Sequence, residues 1–366
     1  MGQLLWIGLA GSVATPELRA RLDAGAVGGT LLNRRNIASD VVDGDGALAL
    51  EVVELDVLAA LAADLHRKAP DGTPALIAID QEGGAVQRVR TPATIWPPML
   101  AHDGLPAGED ERVAEQVGRA IGEELRALGL DINFAPVLDV HTNPANPIIG
   151  DRAFGRDADS VARRALAFAR GLGAAGVIAC GKHFPGHGDT TTDSHLELPR
   201  IDHALGRLER VELVPFALAA RANVPMIMTA HVVFAAIDPV RPATLSEAVV
   251  TGILRKKLGY RGVIVSDDLD MRAIAELGIG NAAVQAIRAG CDVLLLCCTD
   301  GYEAQEALIK EAERDSDFRR RVGQAADRVR ALKKQHALAR AKQPPLARDV
   351  VGSFEHRRLA DRLAGR

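Results

Sequence analysis

Eight short apolar runs, Leu4–Leu9, Gly29–Leu32, Ala75–Ile79, Ile132–Ala135, Val177–Cys180, Pro225–Thr229, Val263–Ser266 and Val293–Cys297, are spaced along the chain. Runs this short, apolar without alternation, predict strands buried on both faces. Between them, Asp110–Leu128, Ser160–Leu172, Ser246–Leu258 and Arg272–Ala289 place apolar residues three and four positions apart, the spacing of helices with one buried stripe. Thr244 and Ser246 are candidate helix starts, because a hydroxyl there can accept from the first free N–H groups. Strands alternating with helices imply a parallel sheet, and eight such units in roughly 300 residues predict an α/β fold closed as a (β/α)8 TIM-type barrel rather than an open doubly wound sheet.

That architecture predicts where chemistry lies, since barrel active sites occupy the loops after the C-terminal ends of the strands. The polar clusters follow strands in this way: Asp80-Gln81-Glu82-Gly83-Gly84, Asp151-Arg152, the run from Lys182 to His195, His231, and Asp267-Asp268. Lys182 to His195 carries an ammonium, three imidazoles and two carboxylates on a Gly/Pro-rich stretch. Asp193, two residues before His195, can orient that imidazole, whose ordinary pKa suits proton transfer near neutrality. Asp267 ends an apolar strand, where a carboxylate is rigidly held as a nucleophile requires. Asp268 and Asp270 compete for the role, and a plainer reading makes Ser266-Asp267-Asp268 a helix cap.

Arg88, Arg152 and Lys182 supply donors at the expected mouth, and Asp80, Glu82 and Asp151 supply acceptors, a mixture suited to a ligand covered in hydroxyls and amides such as a sugar. His183, His187 and His195 with Asp189 could ligate zinc, but their spacing across Pro185 and two glycines argues against it, and no metal is expected. Gly83-Gly84 lacks the flanking pattern of a phosphate loop.

The formal charge of −4 gives no basic field for nucleic acid, and no apolar run reaches the roughly 20 residues of a membrane span. A cytoplasmic protein is expected. Leu4–Ala14 has the length of a secretory apolar region, but no Lys or Arg precedes it, and cutting near Ala14 would delete the first strand. Cys180, Cys291, Cys297 and Cys298 lie in or beside apolar runs and read as buried free thiols. Aromatic residues make up only 3%, which leaves few stacking platforms and favours removal of one terminal sugar; Trp96 reads as core or as a platform. Tyr302–Lys342 is charged with helical period, and Gln343-Pro344-Pro345 interrupts it before a short basic helix near His356–Leu363. The expected organisation is a barrel over residues 1–342 and a tail helix in 343–366 packed on or extending from it.

Several of these segments, Gly28 to Asn36, IDQEGG at Ile79–Gly84, NFAPVLDV at Asn133–Val140, GDRAFG at Gly150–Gly155, KHFPGHGDT with the trailing DSH at Lys182–His195, and SDDLDM at Ser266–Met271, together resemble the family 3 glycoside hydrolases. Within that family the chain is most similar to the single-domain bacterial β-N-acetylhexosaminidases of peptidoglycan recycling. The resemblance implies Asp267 as nucleophile, His195 as general acid/base with Asp193 as its partner, and Asp80, Arg88, Arg152, Lys182 and His183 on sugar-binding positions. It implies a small-molecule β-glycoside substrate, no cofactor, no nucleic-acid or membrane partner, and a monomer or weak homo-oligomer. One departure is Ala85, where the family usually has Arg; loss of that donor loosens a sugar contact or alters substrate preference. A glycoside phosphorylase, a β-glucosidase or β-xylosidase of the same family, a metal-dependent amidohydrolase and a non-catalytic sugar-binding protein are the competing readings.

Overall fold

The computed structural model describes residues 1–42, 48–106, 108–192 and 198–366, with backbone alone for 38–42 and 48–51. Eight parallel strands close a barrel: β1 Leu5–Gly8, β2 Gly29–Leu32, β3 Leu76–Ile79, β4 Ile132–Asn133, β5 Ile178–Phe184, β6 Met226–Thr229, β7 Val263–Asp268 and β8 Val293–Leu296. Each falls on one of the eight apolar runs, and β8 pairs back to β1 with Leu294 opposite Leu5.

The continuous apolar character of the runs follows from burial on both faces. Alternate residues Trp6, Leu31, Leu76, Ala78, Ile178, Cys180, Met226, Met228, Val263, Val265, Val293 and Leu295 fill the barrel interior. Their neighbours Leu5, Ile7, Leu32, Ile77, Ile79, Ile227, Ile264, Leu294 and Leu296 join the core between strands and helices.

The outer helices are α1 Pro16–Asp23, α2 Leu55–Leu65, α3 Asp110–Ala127, α4 Ala158–Ala175, α5 Leu213–Arg221, the π-type α6 Ala248–Lys257, α7 Ile279–Ala289 and α8 Tyr302–Arg314. Beyond them run α9 Ser316–Ala341 and α10 Phe354–Leu363. Three expectations are corrected. The stretch Arg272–Ala289 is broken into Arg272–Ala275 and α7 by Gly278, whose φ of +72° suits glycine and ends a right-handed helix. Tyr302–Lys342 divides at Asp315, whose carboxylate accepts from the N–H groups of Asp317 and Phe318 and so starts α9. Ser246 lies one residue before the cap of α6, Glu247, and its hydroxyl accepts from Val249 N–H at 3.3 Å, whereas the Thr244 hydroxyl points inward to Thr229 and His231.

α10 lies on α3. His356 holds Glu124 at 3.0 Å and Glu123 at 3.4 Å, and these carboxylates outweigh burial to raise the imidazole to about 9. Among the described residues, no helix is long and apolar enough to cross a membrane.

Candidate active site

A cleft of about 470 Å³ opens at the C-terminal ends of the strands. Asp80, Arg88, Arg152, Lys182, His183 and Asp267 all line it, so residues remote in sequence are brought to one mouth. Asp193 and His195 lie outside the described residues. On either side of their segment, Asp189 accepts from the Thr142 hydroxyl at 2.9 Å and pairs with His203.

The cationic residues sit in a layered ion network. Lys182, 2% exposed, donates to Asp80 at 2.7 Å and pairs with Glu82 at 2.6 Å. Arg152 grips Glu82 with two bonds of 2.9 and 2.8 Å, and Arg88 approaches the other oxygen of Asp80 at 3.4 Å. Burial alone would raise the Asp80 carboxyl, but the nearby Lys182 and Arg88 charges prevail and hold it well below the usual range. Glu82 is lowered against burial in the same way by Arg152 and Lys182. Both are carboxylates at neutral pH. Glu82 is saturated beneath the cleft, while Asp80 faces it.

Lys182 and His183 were expected on a loop. They lie instead on β5, which continues beyond Cys180 because Gly181 pairs with Ile227 and Phe184 with Thr229 of β6. Asp139, to which the sequence alone gave no role, organises this strand end. It accepts from the His183 ring Nδ1 at 2.7 Å and from the backbone N–H of His187 at 2.6 Å. A carboxylate inside the apolar NFAPVLDV run was the available signal, since a buried charge demands donors. The Asp139 contact to Nδ1 fixes the orientation of the His183 ring and leaves Nε2 directed away from Asp139. Burial and the neighbouring His183 push His187 down to about 4, which leaves it neutral; its Nδ1 lies 2.8 Å from the Thr190 hydroxyl.

Asp267 is the second-to-last residue of β7 and its carboxylate accepts from the N–H of Asp268 at 2.9 Å. The rivals are otherwise employed. Asp268 accepts from the N–H groups of Cys297 at 3.0 Å and Asp270 at 3.1 Å, and Asp270 accepts from Cys298 N–H at 2.7 Å. Burial raises Asp268 to about 6. The short helix Arg272–Ala275 has Met271 at its start and no side-chain cap, so the plain capping reading of Asp267 fails.

The structure differs from expectation at Asp151, Cys297 and Cys298, and it places Ala85 and Trp96. Asp151 is exposed and does not line the cleft, because in the tight turn Gly150–Arg152 successive side chains diverge and Arg152 takes the inward direction. Ala85 is exposed at the tip of the hairpin between Gly83 and Val86; Val86, not Ala85, reaches the cleft. Trp96 is 1% exposed and belongs to the core. Cys180 and Cys291 are buried, but Cys297 lines the cleft half-buried and Cys298 is exposed. Asn33, Arg34 and Arg35 after β2 also line the cleft, a polar cluster that was visible in the sequence and received no role. Among the described residues, no group of three His, Cys, Asp or Glu side chains is placed to hold a metal ion.

A family model described as glycosyl hydrolase family 3 N terminal domain matches residues 2–332. A beta-hexosaminidase of Alkalilimnicola ehrlichii is 42% identical over 298 residues, covering 80% of this chain and 80% of that protein. Beta-hexosaminidase A of Pseudoalteromonas piscicida is 34% identical over 371 residues and 95% of this chain, yet the chain spans only 60% of its length. Among solved structures, a glycoside hydrolase family 3 β-N-acetylglucosaminidase from Paenibacillus sp. str. FPU-7 superposes with a TM-score of 0.86 at 39% identity, covering 99% of this chain and 67% of that one.

Proposed function

The chain belongs to glycosyl hydrolase family 3, and from that premise we propose that it is a retaining exo-β-N-acetylglucosaminidase that releases terminal N-acetylglucosamine from peptidoglycan-derived muropeptides. The observation that carries the reading is the convergence on one cleft of Asp267 with Asp80, Arg88, Arg152, Lys182 and His183, a fixed carboxylate facing charged groups able to bind sugar hydroxyls. The names of the relatives, β-hexosaminidases and a β-N-acetylglucosaminidase, supply the sugar.

Asp267 attacks the anomeric carbon and forms a glycosyl–enzyme bond while His195, oriented by Asp193, protonates the departing oxygen. His195 then takes a proton from water, whose oxygen displaces Asp267. Retaining glycosidases generally use a second carboxyl for this step. A neutral imidazole carries no charge to repel the lactyl or peptide carboxylates of a muropeptide leaving group.

A panel of nitrophenyl glycosides tests the reading. The N-acetylglucosaminide is expected to be cleaved well ahead of the glucoside, the glucosaminide lacking the acetyl group and the xyloside; preference for glucoside or xyloside, or release of none, overturns it. Acceleration by phosphate over a non-phosphate buffer would make the protein a phosphorylase. His195→Ala is expected to damage poor leaving groups most and nitrophenyl substrates least, and equal damage removes His195 from the acid role.

A further inference from the structure

We propose that His231 is a positioning residue that holds the strand end bearing Asp267 in its working place, acting through the backbone carbonyl of Asp268. The inference rests on Asp267 as the nucleophile. Between β6 and β7 the backbone ladder pairs Met226 with Val263, Ile227 with Ile264 and Met228 with Val265, and there it stops. Three residues further on each side, the His231 ring spans the same gap. Its Nε2 lies 2.9 Å from the Asp268 carbonyl oxygen. A carbonyl only accepts, so Nε2 carries the proton.

The other ring nitrogen is anchored as well. Nδ1 is 2.9 Å from Thr244 Oγ1, which in turn lies 2.8 Å from Thr229 Oγ1 and 3.0 Å from the Ala230 carbonyl. With the side chain at 0% exposure and both nitrogens tied, the ring has no alternative orientation that keeps its bonds. Thr229 ends β6 and Thr244 precedes α6, so the ring transmits the rigidity of that neighbouring βα unit to β7.

On the opposite side β8 holds the same residues. Ser266 Oγ accepts from Leu295 N–H at 3.0 Å, and the Asp268 carboxylate accepts from Cys297 N–H at 3.0 Å. The register between β7 and β8 shifts between Val265 and Asp268, so regular pairing does not extend through Asp267 there either. Asp267 therefore projects from a stretch where the ladder has ended on the β6 side and shifts register on the β8 side, with side-chain bonds added to it, and His231 is a tie from β6. A nucleophile displaced by about 1 Å loses on the order of 100-fold in rate, which makes such a tie consequential for the chemical step.

The test follows formation of the covalent bond in the full chain. A 5-fluoro-N-acetylglucosaminyl fluoride slows release of the intermediate through its ring fluorine, while its fluoride leaving group lets the intermediate form; the Asp267 peptide is then followed by mass spectrometry. Wild type is expected to label on Asp267. His231→Leu is expected to label at least about tenfold more slowly, with N-acetylglucosamine affinity and thermal midpoint far less affected. His231→Gln, whose amide N–H2 reaches toward the position of Nε2, is expected to recover most of the rate. Labelling of His231→Leu at the wild-type rate, or equal loss in the Gln and Leu variants, overturns the inference. If His231→Leu does not fold, Thr244→Val releases Nδ1 together with the Thr244 hydroxyl contacts to Thr229 and Ala230, and leaves Nε2 on the Asp268 carbonyl; slower labelling supports the proposal and an unchanged rate overturns it. Absence of any Asp267 label in wild type is a separate result, which removes the nucleophile reading and this inference with it.

Discussion

The two mouths of the barrel are built from similar chemistry and end in different states. At the N-terminal mouth, Asp131 accepts from His66 at 2.9 Å, His336 at 3.2 Å and the N–H of Ile77 at 2.9 Å. Asp292, just before β8, meets Arg255, Arg321 at 2.8 Å and Arg328 at 3.0 Å. Helix α9 lies across this end: Val329 and Leu332 join the interior core, and Lys333 donates to Gln3 and to the Gly28 carbonyl, both at 2.6 Å. At the C-terminal mouth Lys182, Asp80, Glu82 and Arg152 form a comparable network, but there the cleft is open and Asp80 borders it. Buried ion pairs by themselves thus do not mark a site. The difference is whether the outermost carboxylate has spent its lone pairs on the protein or still faces a cavity.

Four perturbations test that contrast. Asp267→Asn keeps shape and removes the attacking charge, so turnover of a nitrophenyl N-acetylglucosaminide should fall at least about 10⁴-fold with an unchanged melting temperature. A fall under about tenfold would place the nucleophile elsewhere. Asp292→Ala at the closed mouth should do the reverse. It leaves three guanidinium groups without their counter-charge, costing about 3–5 kcal/mol in urea unfolding, while the folded fraction keeps near wild-type turnover.

Asp80→Asn should lower kcat/KM on the order of 10–100-fold, mainly through KM, as expected for a charged hydrogen bond to a sugar. Its stability loss should be much smaller than that of Asp292→Ala, because Lys182 keeps Glu82. The smallest effect concerns the tail. The folded pKa of His356 is raised to about 9, so its contribution is fully present below the ordinary value of about 6.5 and is lost as pH rises through about 9. The melting temperature should fall by on the order of a few degrees across that window, and His356→Gln should abolish that component.

Much of this was legible without coordinates. The apolar runs located every barrel strand, because a parallel barrel buries both faces and so demands unbroken hydrophobic segments. Their polar endings located the cleft, and Asp267 at the end of Val263–Ser266 was placed on it. Local spacing was silent about Asp139 and put His231 after a strand without giving it a role, because their meaning depends on partners 44 and 37 residues away. It also misplaced Asp151, since which of two adjacent charges faces a cavity is set by turn geometry and not by composition.

For this protein the sequence by itself determined the barrel, the end at which chemistry lies and the family, because hydrophobic period and motif spacing are local properties of the chain. Only the tertiary structure decided which charged groups are sealed and which face the cleft, that Lys182 and His183 ride on a strand, and that a buried imidazole stands where the β6–β7 ladder ends. Those outcomes depend on distances between segments remote in sequence, and only the closed barrel fixes such distances.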